Sequence, residues 1–215
     1  RRELLDRLRS KYLTPRPDMP HLSEVMYCLT RSYFDRTDQI PPSEAELLLF
    51  SVGFGLEEVL LRDKTSLAPV TSYLEGLWLT PDYVALAGGE LDLKTTRMGL
   101  KRLGEDMHGV PETWLEQFKA YAYKMAQPEV PETVPYSVGV LLLASVPPEL
   151  VVGTFTFTKQ ELLDNWFRIQ SRRAVYMAHF ELKTPPEPFK WNRDWECKSC
   201  RYLIRCTTIS HGEKQ

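Results

Sequence analysis

A change of hydrophobic period near residue 67 constrains this fold more than any other feature of the sequence. Upstream, "PPSEAELLLFSVGFGLEEVLLRD" is spaced as a helix, with Ser43 and Glu46 forming a capping box behind two prolines. Gly53 and Gly55 inside it predict a close backbone approach. From 67 to 95 the pattern becomes short β-like segments: "LAPVTSYLEG", "LWLTP", "DYVALAG" and "GELDLKTT". Gly88-Gly89 reads as a hairpin turn between the last two. A helix follows in "PETWLEQFKAYAYKMAQ", with Pro111 at its start and Glu112 in its first turn. Strands "YSVGVLLLASV" and "LVVGTFTFT" then flank Pro147-Pro148, and "KQELLDNWFRIQSRRAVYMAHFEL" reads as a long helix. This order predicts an α/β fold, a mixed sheet flanked by helices. Nearer the start, Ser23 is expected to cap a helix through "SEVMYCLTRSYFDR". The tail "TPPEPFKWNRDWECKSCRYLIRC" reads as irregular.

The 215 residues are 43% hydrophobic, enough for one sizeable core. A net charge of −2 gives no overall basic field, so any nucleic-acid binding must rest on local clusters. The longest apolar runs are too short to span a bilayer, and "RRELLDRLRSKY" has no apolar signal core. The expected protein is soluble and cytoplasmic. Its four cysteines are uneven: Cys28 alone, then Cys197, Cys200 and Cys206 as C-x2-C-x5-C. That pattern is no disulfide framework and points to a metal or cluster site in a reducing compartment. Four thiolates suit zinc or a [4Fe–4S] cluster, and spacing alone does not choose.

Strand alternation in "GGELDLKTTR" sends Glu90, Asp92 and Lys94 to one face. A solvated charged strand is the ordinary explanation. Ten residues earlier, however, "TPDYV" places Asp82 at the entry to the paired strand, where it can converge with Asp92. Two carboxylates so placed repel unless a divalent cation lies between them, and hard oxygen ligands suit Mg²⁺ or Mn²⁺. Lys94 can then stabilise charge on phosphate oxygens or orient an attacking water.

"TPDYVALAGGELDLKTTR" resembles the signature of the PD-(D/E)XK nuclease superfamily: Pro81-Asp82, a hairpin, then Asp92-Leu93-Lys94. In "QFKAYAY", Gln117 and Tyr121 share a helical face and resemble the Q-x-x-x-Y motif of the RecB-like branch. Where that branch usually carries His in G-x-x-x-H, this chain reads "GFGLE", with Glu57 in the histidine's place. Glu57 is either a third carboxylate ligand or a surface glutamate; Glu58 points about 100° away. Cys28 followed by the C-terminal C-x2-C-x5-C is the arrangement of iron–sulfur RecB-like nucleases, the CRISPR-associated exonucleases and the AddB nuclease domain among them. "LSEVMYCLTRSYF" is similar to their N-terminal segment at Ser23, Cys28 and Arg31.

The resemblance spans residues 22 to 206. It implies one domain over 1–215: an N-terminal helix at 22–40, a restriction-endonuclease-like core at 43–181, and a cysteine-rich iron–sulfur tail at 182–215 packed on the first helix. The implied activity is Mg²⁺- or Mn²⁺-dependent exonuclease cleavage of single-stranded or end-frayed DNA, in CRISPR spacer acquisition or in repair and recombination. CRISPR integrase proteins are the implied partners, with no membrane role. Metal ligands would be Glu57, Asp82, Asp92 and the Leu93 carbonyl; Lys94 would assist water, and Gln117 and Tyr121 would position substrate. Cys28, Cys197, Cys200 and Cys206 would hold one [4Fe–4S] cluster. Arg97, Lys101, Arg102, Arg168 and Arg172 would contact DNA phosphates, as would Lys198, Arg201 and Arg205. Trp78, Trp114 and Tyr123 are candidate base-stacking rings. The histidines receive no role. The alternative is a non-catalytic iron–sulfur module that binds DNA ends or scaffolds a nuclease–integrase complex.

Overall fold

The computed structural model describes residues 2–12, 18–61, 66–67, 71–85, 90–104, 106–188, 194–198 and 200–212. In chain order the helices are α1 (Arg2–Tyr12), α2 (Leu22–Met26), α3 (Leu29–Thr37), α4 (Glu44–Leu61), α5 (Leu100–Leu103), α6 (Glu112–Met125), α7 (Lys159–Glu181), α8 (Asp194–Lys198) and α9 (Leu203–Gly212). The strands are β1 (Ser66–Leu67), β2 (Ser72–Leu74), β3 (Leu77–Leu79), β4 (Tyr83–Ala85), β5 (Glu90–Thr96), β6 (Thr133–Leu142) and β7 (Glu149–Thr158). Among the described residues no helix is long and apolar enough to cross a membrane. The chain forms two compact units: residues 49–167, and residues 1–48 with 168–215. The boundaries fall inside α4 and α7.

Unit 49–167 is built on a five-stranded mixed sheet of order β1-β4-β5-β6-β7. β5 and β6 are parallel, and the other neighbours are antiparallel. Parallel pairing needs a crossover, and α6 supplies it between β5 and β6. Tyr136 of β6 stacks with Phe118 and Tyr121 of α6, centroids 6.0 and 6.3 Å apart. Beyond Tyr136 this interior strand is buried continuously from Val138 to Leu142, as a strand covered on both faces must be. Edge strand β7 alternates instead. The N-terminal end of α7 is tied to α6 by Asn165 Nδ2, which donates to the Glu116 carbonyl at 2.9 Å, and by the Tyr123–Trp166 stack at 4.9 Å.

The short strands expected from 67 to 95 form two separate structures. β2 and β3 pair only with each other, around Glu75-Gly76. Both turn residues have positive φ, 45° and 85°, which matches the twist of a two-residue hairpin. β4 and β5 pair antiparallel as expected, Tyr83 opposite Leu91. Gly88-Gly89 lies outside the described residues. At Gly53 and Gly55 no neighbouring atom among the described residues would meet an added Cβ within 4 Å, so the expected close approach is absent there.

In the other unit the expected first helix breaks in two at Tyr27-Cys28. His21, not Ser23, caps α2: its Nδ1 accepts from the Ser23 amide at 3.5 Å, while Glu24 Oε2 accepts from the His21 amide at 2.7 Å. Ser43 and Glu46 form the anticipated box ahead of α4, with the Ser43 amide 2.8 Å from Glu46 Oε2. The tail is partly helical rather than irregular, and α9 is fixed through Tyr202. That fully buried ring stacks on Phe34 at 5.4 Å, and its hydroxyl donates to Asp35 Oδ1 at 2.7 Å. Burying such a side chain contributes about 1.5–3 kcal/mol, enough to hold a short helix that would not persist alone.

Candidate functional site

The pleat of β5 sends Glu90 and Asp92 inward, 8% and 0% exposed, with half-buried Lys94 on the same face. Lys94 Nζ stands 2.5 Å from Asp92 Oδ2. The contact is an ion pair by distance, and neither Asp92 oxygen has a hydrogen-bond partner among the described residues. Lys94 compensates the charge of the carboxylate without satisfying both of its oxygens. Glu90 Oε1 pairs with Lys124 of α6, while Oε2 has no hydrogen-bond partner among the described residues. Asp82, between β3 and β4, accepts the Leu93 amide hydrogen at 2.9 Å through Oδ2. That bond sets Asp82 one residue from Asp92, across the hairpin.

The electrostatics agree with this convergence. Burial pushes the Asp92 carboxyl up to about 7, Lys94 opposing the rise and Asp82 adding to it. Burial, then Asp92, also raises the hydroxyls of Tyr121 and Tyr136 far above the ordinary tyrosine range. Both tyrosines are therefore neutral hydrogen-bonding groups.

Gln117 and Tyr121 meet as their spacing requires, Gln117 Nε2 donating to the Tyr121 oxygen at 3.3 Å. Tyr121 is only 1% exposed, and its hydroxyl donates to the Thr80 carbonyl at 2.8 Å. That bond ties α6 to the loop that carries Asp82. Leu93, the expected carbonyl ligand, sits between Asp92 and Lys94 with its amide occupied by Asp82. The Glu57 side chain lies outside the described residues.

The basic residues divide by position. Arg97, Lys101 and Arg102 are exposed just after β5 and on α5. In the other unit, Arg172 donates to the Val25 and Tyr27 carbonyls at 2.6 Å each, which closes the end of α2. Arg201 donates to the Ile40 carbonyl at 3.1 Å, and Arg205 pairs with Asp38 at 2.6 Å. These three guanidinium groups fasten protein to protein, whereas the sequence suggested DNA. Arg168 is half-buried on α7, on the same helical face as Arg172. Of the candidate stacking rings, Tyr123 is buried against Trp166, and Trp78 lies 4.9 Å from Tyr73.

The four cysteines line one cavity of about 30 Å³ in unit 1–48 plus 168–215, with Arg31 and Glu196 beside them. The helix break explains how Cys28 gets there. As the N-cap of α3 its amide has no helical partner, and it donates to Glu196 Oε2 at 2.9 Å. Cys200 is placed by its amide bond to the Cys197 carbonyl, 3.2 Å, and Cys206 by its bond to the Tyr202 carbonyl, 3.0 Å. Burial pushes the Cys206 thiol up to about 12, with the other three cysteines raising it further. Cys200 rises for the same reason, while Arg31 pulls it back. Four thiols around one void, each of which resists ionising beside the others, have the donor chemistry that a soft cation or cluster would take up. Among the described residues, no three His, Cys, Asp or Glu side chains stand in ready coordination geometry.

Sequence reasoning missed Glu196, Tyr136 and the Glu90–Lys124 pair. Glu196 adjoins Cys197 in "WECKSC", a signal that was available. Nothing local marks Tyr136 or Lys124.

No protein-family model matches the chain, and no curated protein matches it. A solved structure described as the crystal structure of SSO0001 is similar in fold, with a TM-score of 0.57 at 13% identity. The alignment covers 95% of this chain and 94% of that one. Similarity at that identity shows a shared α/β architecture and nothing of function.

Proposed function

We propose that this chain is a Mg²⁺- or Mn²⁺-dependent DNA exonuclease with a restriction-endonuclease-like core, acting on single-stranded or frayed ends. One observation carries the reading: Asp82 is hydrogen-bonded to the strand beside buried Asp92, which is itself paired with Lys94. A structural salt bridge needs no second carboxylate aimed at the same strand. Asp92 and Asp82 fit a hard cation, because the two carboxylates converge on one strand and neither Asp92 oxygen has a hydrogen-bond partner among the described residues. When bound, such a cation supplies Lewis acidity toward phosphate and acidifies a coordinated water. Asp82 and Asp92 would hold it. Lys94 would stabilise charge building on the phosphate oxygens, and Tyr121 would keep Asp82 in register through Thr80. Exposed Arg97, Lys101 and Arg102 would bind the flanking phosphates.

The cysteine cavity supports a [4Fe–4S] cluster on Cys28, Cys197, Cys200 and Cys206, with zinc as the competing occupant. Its role in this reading is to tie the first helices to the tail, a long chain closure. A place in CRISPR spacer acquisition, with integrase partners, or in DNA repair belongs to the same proposal. The deciding experiment is cleavage of end-labelled single strands with Mn²⁺ against EDTA. Metal-dependent shortening is expected. Tight binding without cleavage would replace the enzyme by a DNA-end scaffold.

A further inference from the structure

Four buried side-chain atoms of unit 49–167 have no hydrogen-bond partner among the described residues: Glu90 Oε2, both Asp92 oxygens and the Tyr136 hydroxyl. Gln170 Nε2, also without such a partner, belongs to the other unit. Leaving a desolvated polar atom unsatisfied is costly, so native interiors rarely do so without a reason. Scattered, these atoms would be packing faults. Here they gather: Asp92 and Glu90 share one face of β5, and Tyr136 lies on the adjacent parallel strand, next to Ser137, which is opposite Leu91. Among the charges acting on the Tyr136 hydroxyl, Asp92 is foremost, with Glu90 and Asp82 also contributing.

The chemistry of the absent partner follows from this inventory. A buried neutral hydroxyl is a weak direct ligand for a hard divalent cation but a good acceptor for the polarised protons of its bound water. Mg²⁺ in particular keeps several waters, each needing acceptors. Glu90 offers one such acceptor, because Lys124 engages only its other oxygen.

We infer that Tyr136 and Glu90 are positioning residues for the water shell of a divalent cation held by Asp92, the hydroxyl and Glu90 Oε2 accepting hydrogen bonds from bound water. This rests on the metal-dependent reading above and extends the site to β6. It also explains why a tyrosine occupies a buried position where phenylalanine would fill the same volume without an orphaned hydroxyl.

The test is thermal unfolding of the full chain titrated with MnCl₂, for the wild type, Tyr136→Phe and Asp92→Asn. Without metal, Tyr136→Phe should be as stable as the wild type or more so, because an unsatisfied group has been removed. It should require about fivefold more Mn²⁺ for half of the metal-induced rise, the size of one lost hydrogen bond. Asp92→Asn should lose the response. A wild type that ignores Mn²⁺ would overturn the metal reading itself. A responsive wild type, with Tyr136→Phe titrating identically, would overturn only the role of Tyr136. So would a metal-free Tyr136→Phe of lower stability, since the hydroxyl would then have a structural partner.

Discussion

The Tyr121 hydroxyl donates to the Thr80 carbonyl at 2.8 Å, joining α6 to the loop that carries Asp82 two residues later. Gln117, one turn earlier, donates to the same oxygen and orients it. Tyr121 thereby braces the loop of a carboxylate.

Tyr121→Phe should keep the fold, because the ring fills the same buried volume. Losing the brace should lower cleavage about tenfold through misplacement of Asp82, the order of effect expected for a small loss of alignment. An unchanged single-turnover rate would mean that the loop holds its place without Tyr121.

Asp92→Asn and Lys94→Ala should each reduce cleavage by orders of magnitude, about 10²-fold or more, while DNA binding persists. Filter binding and a nuclease assay on the same preparations separate the two effects. Wild-type turnover in either variant sinks the site assignment.

Arg172 and Arg97 should behave oppositely. Arg172→Ala removes charged donors from two backbone carbonyls and should cost about 1.5–3 kcal/mol in urea denaturation. Arg97→Ala should leave stability unchanged but weaken DNA binding and reduce its salt slope by about one. Equal DNA defects with no stability loss for Arg172→Ala would restore Arg172 as a phosphate contact.

Purified without oxygen, the protein should be brown, with about four irons per chain bleachable by dithionite. Cys197→Ala should be colourless and less stable. Glu196→Ala should retain less iron, because the Cys28 amide loses the acceptor that holds it beside the other thiols. Stoichiometric zinc in colourless, active protein would exclude the cluster and leave the nuclease site standing.

The start of α7 should be acid-sensitive. Glu161 accepts from the Thr158 amide at 2.9 Å and pairs with Lys119 at 3.2 Å, and these contacts, the amide bond foremost, hold its carboxyl below the usual range. Its contribution is present above the unfolded value and is lost as pH falls through the folded one. Glu161→Gln should flatten the stability profile below about pH 4.5; an identical profile would remove Glu161 from the account.

The sequence by itself determined the elements whose signals are local. The Ser43–Glu46 box, the β4–β5 pairing, the acidic face of β5 and the Gln117–Tyr121 pair all follow from spacing within a strand or a helical turn. Only the tertiary structure decided what those faces meet. The break before Cys28 depends on Arg172 and Glu196, which lie far along the chain and bind the groups that the break exposes. The tail becomes helical because Tyr202 is buried against Phe34 and Asp35. Glu90 finds Lys124, and Tyr136 comes onto the strand beside Asp92, only when α6 crosses the sheet and β6 pairs parallel to β5. Periodicity encodes which side of an element is buried. The partner on that side is fixed by long-range packing, where no residue spacing records it.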